Sequence, residues 1–130
     1  MTGLALDSLF ANAQRRALEM TGPMLAAYLK AEIGGPLVAR VTNVRFANTV
    51  TRWARGGKPN RYALNRMQLV ATLLLVLEES FDDPSGAARW LTVDNPSLGF
   101  RAPIDALAEG AFAEVFAVAR DCAIRFGGPQ

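Results

Sequence analysis

Apolar side chains recur along this chain at three- and four-residue spacing, the repeat of a helix with one buried face, and nowhere in strict alternation. Leu6, Phe10, Ala13, Ala17 and Met20 form the first stripe and predict a helix over Leu4–Met20, ended by Thr21-Gly22-Pro23. A second helix is expected over Met24–Ile33, with Met24, Tyr28 and Ala31 on one side and Gly34-Gly35-Pro36 as its stop. Pro36 opens a short third helix near Leu37–Val41, because a proline in a first helical turn gives up no intrahelical hydrogen bond. Phe46, Val50 and Trp53 predict a helix over Phe46–Arg55 that turns these three to the core and closes at Gly56-Gly57, with Pro59 beyond. Asn60 is the expected N-cap of the longest helix, Arg61–Phe81. Asp83-Pro84 introduces a short helix ending at Trp90-Leu91, and Pro103–Ala108 and Ala111–Arg125 complete the set. The expected fold is all-α, a helical bundle.

At 130 residues the chain suffices for one compact domain or two small helical subdomains sharing a core. Half of the residues are hydrophobic, which argues against disorder. The longest apolar stretch, Met67–Leu77, is too short to cross a bilayer, and the first residues lack the pattern of a signal peptide. Cys122 is the only cysteine, which excludes an internal disulfide and suits a reducing cytoplasm; in its alanine-rich surroundings it reads as a small buried hydrophobe.

No histidine is present, which removes Ser-His-Asp and Cys-His nucleophiles, HExxH metal sites and histidine proton shuttles together. No glycine-rich phosphate loop occurs, and Glu78, Glu79, Asp82 and Asp83 read as a solvated helix end. The expectation is a protein that is not an enzyme and takes no metal or cofactor.

Charge is unevenly spread. Residues 33–77 hold Arg40, Arg45, Arg52, Arg55, Lys58, Arg61 and Arg66 without one acid, whereas residues 78–121 hold nine acids against Arg89, Arg101 and Arg120. A basic block facing one way is an electrostatic footprint for a polyanion. Residues 37–58 also have the order of a helix-turn-helix, whose second helix would enter the major groove. On that helix Arg45, Asn48, Thr49, Arg52 and Arg55 stay outside, and Lys58 follows the turn, a mix suited to bases and phosphates. The turn, Thr42-Asn43-Val44-Arg45, lacks a glycine and depends on Asn43 adopting a left-handed conformation.

The segment Ala87–Gly110 joins Trp90-Leu91, an Asp94-Asn95-Pro96 turn and a new helix starting at Pro103, with Asp105 in its first turn and Gly110 at its end. This order resembles the toxin-binding domain of the MbcA/ParS/Xre antitoxins, and the Val50–Pro59 stretch resembles the Xre-type helix-turn-helix that precedes it. The resemblance covers about Val50–Asp121. It implies an N-terminal region over residues 1–60, a toxin-binding domain over 61–130, a RES-domain toxin that uses or destroys NAD as partner, operator DNA as a second ligand, and a homodimer. The residues it brings forward are Trp90, Asn95 and Arg120, with Arg125, Phe126, Gly127 and Gly128 at the mouth of the toxin's NAD site. The competing readings are a helix-turn-helix regulator without a toxin partner and an all-α dimerisation module.

Overall fold

The structure, a computed structural model, describes residues 3–81, 83 and 85–126. Among them are eight α-helices: α1 (Gly3–Glu19), α2 (Gly22–Ile33), α3 (Gly35–Val41), α4 (Ala47–Ala54), α5 (Arg61–Ser80), α6 (Gly86–Thr92), α7 (Pro103–Ala108) and α8 (Phe112–Phe126). A 3₁₀ turn, Pro96–Leu98, lies between α6 and α7, and no strand forms among the described residues beyond the single bridge Asn95–Arg101. The all-α expectation holds, and each predicted helix is present.

Turn chemistry sets the ends. The Thr21 side chain accepts from Met24 N at the start of α2, and Asn60 Oδ1 accepts from Ala63 N (2.8 Å) at the start of α5. Three helices stop in the same way. In α3, α4 and α7 the residue after the cap takes positive φ (Asn43 59°, Gly56 113°, Gly110 90°). In each, the next N–H reaches back five residues: Val44 to Ala39 O, Gly57 to Arg52 O and Ala111 to Ala106 O, all 2.9 Å. This double closure satisfies carbonyls that the helix end leaves open. Asn43 therefore does the work of the missing glycine in the α3–α4 turn.

Around α5 the rest is assembled. Every residue from Val70 to Leu77 is buried, so this stretch is enclosed on all sides, as a helix apolar all round must be. It packs against α1, α2, α6 and α8. One core cluster runs from Ala17 and Leu25 through Trp53, Met67 and Leu74 to Leu107 and Ala119, so residues on both sides of position 60 share it. The buried hydroxyls of Thr42 and Ser80 donate to Val38 O (2.7 Å) and Val76 O (2.9 Å), which removes their desolvation cost.

Two orientations differ from expectation. The buried face of α2 is Leu25, Ala26 and Leu29, while Met24 and Ala31 are exposed and Tyr28 is half-buried. That helix is apolar almost all round, so spacing alone does not orient it. Phe46 is 62% exposed, whereas Val50 and Trp53 are buried. Phe46 is the extended N-cap of α4 (φ −125°, ψ 138°), and helical periodicity does not reach it.

Between α2 and α5 the Tyr28 hydroxyl donates to Glu78 Oε1 (2.7 Å). Burial, reinforced by the Glu78 carboxylate, pushes the Glu32 carboxyl above its ordinary value. The folded state thus holds this proton at a pH where the unfolded chain has lost it. Stability then falls as pH rises from the ordinary carboxylate range through the raised value. Glu32→Gln is expected to be modestly more stable than the parent at neutral pH, since solvent screens much of the effect. In urea titrations that advantage shrinks as the pH is lowered to about 4, where the unfolded carboxyl also becomes protonated; an advantage independent of pH would contradict this account.

Candidate partner-binding site

The helix α6 and the 3₁₀ turn after it enclose an apolar cleft of about 600 Å³. Its walls are Phe81 at the end of α5, Arg89 and Trp90 on α6, and Val93, Asn95 and Pro96 in the connection. The Asp83 carboxylate sits at its edge, accepting from Ser85 N (3.0 Å) and Ser85 Oγ (2.9 Å) and pairing with Arg89 (3.2 Å). The two Ser85 donors first, and Arg89 after them, hold Asp83 below its ordinary pKa. Asn95 fixes the floor: its side chain accepts from Ser97 N (2.9 Å), while its backbone N–H donates to Arg101 O (3.0 Å). Leu91, Leu98 and Leu107 are buried, so the apolar residues of this segment divide between holding the fold and lining the cleft.

Trp90 and Asn95 also form one side of a smaller cavity of about 140 Å³, closed by Ser97, Val118, Asp121, Cys122 and Arg125. Three of the residues singled out for toxin binding, Trp90, Asn95 and Arg125, therefore meet in one place. Burial pushes the Cys122 thiol above its ordinary pKa, against the opposing pull of Arg125 and the Trp90 indole N–H. It stays a protonated, weakly polar wall.

Arg120 goes elsewhere. Its guanidinium pairs with Asp7 and lies 5.8 Å from the Phe10 ring centroid, tying α8 to α1. Phe126 is the last residue of α8; its side chain, Gly127 and Gly128 lie outside the described residues.

The other predicted site gathers on α4. Asn48, Thr49, Arg52 and Arg55 line a groove of about 430 Å³ together with Phe46 and Thr51, and Arg52 Nη2 donates to Thr49 Oγ1 (3.3 Å). Arg45 lies just before the helix, 5.6 Å from the Phe46 ring centroid, and Lys58 is exposed beyond its end. Not all of the basic block belongs to this face. Arg40 pairs with Asp105 at the start of α7. Arg66 donates to Leu107 O (2.8 Å) between the rings of Tyr62 (4.8 Å) and Phe112 (4.7 Å). Both bind α7 to the rest of the fold, leaving Arg45, Arg52, Arg55, Lys58 and Arg61 exposed.

Phe81, Val93 and Phe100 are apolar residues of this region that sequence reasoning passes over. Val93 and Phe100 are 55% and 71% exposed. The one signal pointing to Phe100 is an aromatic residue directly after Gly99 in a turn. No helix among the described residues is long and apolar enough to cross a membrane, and none of their His, Cys, Asp or Glu side chains cluster in a way that could hold a metal ion. The chain matches no family model, no curated protein and no solved structure.

Proposed function

We propose that the chain is the antitoxin of a type II toxin–antitoxin pair, binding a RES-domain toxin and blocking its NAD site without chemistry of its own. The observation that carries this reading is the apolar cleft at Trp90. It lies in the same segment, Ala87–Gly110, whose residue order resembles the toxin-binding domain, and its apolar walls suit a protein surface. Residues 78–121 hold nine acids against three arginines, a balance that speeds encounter with a basic surface and disfavours nucleic acid there. Arg125, in the last turn of α8, lines the adjoining cavity and brings positive charge to that side of the site.

The test is co-expression with the protein encoded beside it, followed by pull-down and an NAD-depletion assay. A stable complex with NAD consumption suppressed is the expected result. The absence of both complex and suppression would refute the reading.

A second role is supported by the α4 groove, where guanidinium, amide and hydroxyl groups stand together on a basic helix after a helix-turn. In this role a homodimer of the chain represses its own operator, the two-fold matching a palindromic site. Arg52→Ala and Arg55→Ala are each expected to weaken promoter binding and lower the salt slope by about 1. Unchanged affinity and slope would leave the helix-turn-helix as scaffold only.

A further inference from the structure

Between Leu98 and Arg101 the chain makes a turn in which both central residues have positive φ, 66° at Gly99 and 63° at Phe100, and the Arg101 N–H donates to Leu98 O (3.3 Å). These are the features of a type I′ turn, whose central positions favour Asn, Asp and Gly. A bulky residue there crowds its own Cβ against the following carbonyl. Core packing does not compensate: Phe100 is 71% exposed and belongs to neither hydrophobic cluster.

The turn is nevertheless tightly held. Phe100 N–H donates to Asn95 O (3.0 Å), and Arg101 Nε to Leu98 O (3.0 Å). The Arg101 guanidinium pairs with Glu109 and, at 3.3 Å, with Glu114, which anchors the turn to α7 and α8. Strain kept in a fixed loop, with a solvent-facing aromatic as its only product, is the arrangement of a residue held for contact. The position fits. Asn95, which accepts from Phe100 N–H, also lines the cleft at Trp90.

We propose that this turn is a rigid display loop whose Phe100 inserts into an apolar socket on the protein partner, as a second anchor beside the cleft. The inference rests on the antitoxin reading and adds to it the residue that seats the toxin. A ring already ordered in the free protein loses little freedom on binding, and aromatic anchors in apolar sockets dominate interface energetics. Although Arg101 pairs with Glu109 and Glu114, the carboxylates of Asp94, Glu109 and Glu114 outnumber it near this turn in the chain, which calls for a socket with a cationic rim and disfavours a nucleic acid as the occupant.

The full chain, Phe100→Asn and Phe100→Tyr are compared for thermal stability and for affinity toward the RES-domain toxin. Asparagine tolerates the left-handed backbone and so preserves the turn, whereas tyrosine preserves the ring. The Asn variant is expected to melt at or above the parent's temperature, by up to about 4 °C, once the strain is relieved. Its affinity for the toxin falls on the order of 100-fold, while the Tyr variant stays within about threefold of the parent. A lower melting temperature for the Asn variant makes Phe100 a packing residue and overturns the inference. Unchanged affinity of the Asn variant, or a Tyr variant as weak as it, overturns the inference while leaving the antitoxin reading intact. A parent chain that captures no RES-domain protein refutes that reading, and the inference falls with it.

Discussion

Leu74→Ala is expected to remove about 3–5 kcal/mol of folding stability, the transfer term plus the cavity that a rigid surround cannot close. Leu74 is fully buried in the stretch Val70–Leu77, where α5 is enclosed on all sides by α1, α2, α6 and α8. Collapse into the void would require several helices to move at once. A loss of that size is most of the margin of an ordinary domain, typically about 5–15 kcal/mol. Urea titration should show a much lower midpoint with an unchanged slope. Leu69, five residues earlier on the same helix, is 39% exposed, and Leu69→Ala is expected to cost at most about 1 kcal/mol. Equal losses at the two positions would contradict the central placement of α5.

Under the proposed antitoxin reading, Val93→Arg is expected to lower affinity for a RES-domain toxin by at least about 100-fold, because it sets a charge where such a partner would bury apolar surface. Val93 is 55% exposed and forms part of the cleft wall without belonging to the core, so the fold should be indifferent to the change. The informative result is the combination: a melting temperature equal to the parent's, and NAD consumption by the toxin no longer suppressed. Retained affinity would move docking away from the cleft and leave the toxin-binding reading without its main support.

Helix ends were the most legible part of the chain, since each is set by a few neighbouring residues. Asn60 caps α5 and Gly56-Gly57 closes α4 through hydrogen bonds made within a few positions, and Pro103 opens α7 because it has no N–H to leave unpaired. Asn43 was legible for the same reason: its left-handed backbone is a property of one residue type in one turn. Helix orientation was less so. Periodicity places Val50 and Trp53 inward, but says nothing reliable about α2, where nearly every position is apolar, or about Phe46, which stands outside the helix it precedes.

Charge was read correctly in amount and incompletely in use. Arg40 and Arg66 count toward a basic block, yet Asp105 and the Leu107 carbonyl, both far along the chain, engage them. Arg120 likewise stands among the residues near the C-terminus and is held by Asp7. Pairings over such separations are made by tertiary packing and leave no local trace. The cleft belongs to the same class: Trp90 and Asn95 stand out in the sequence, but Phe81 joins them only once α5 and α6 have packed. Phe100 escaped notice because no periodic pattern distinguishes an aromatic residue in a left-handed turn from one in a core.

The placing of the two tryptophans gives the protein a built-in optical readout. Trp53 is buried on the inner face of α4, whereas Trp90 is half-buried on the cleft wall with its indole N–H toward the Cys122 thiol. One chromophore thus sits in an apolar interior and emits toward the blue, and the other lies within reach of an external quencher and beside a sulfur that shortens its excited state. Acrylamide should therefore quench a red-shifted fraction of the emission and spare the rest. Filling of the cleft would shield that fraction selectively, so occupancy can be followed in solution without a label.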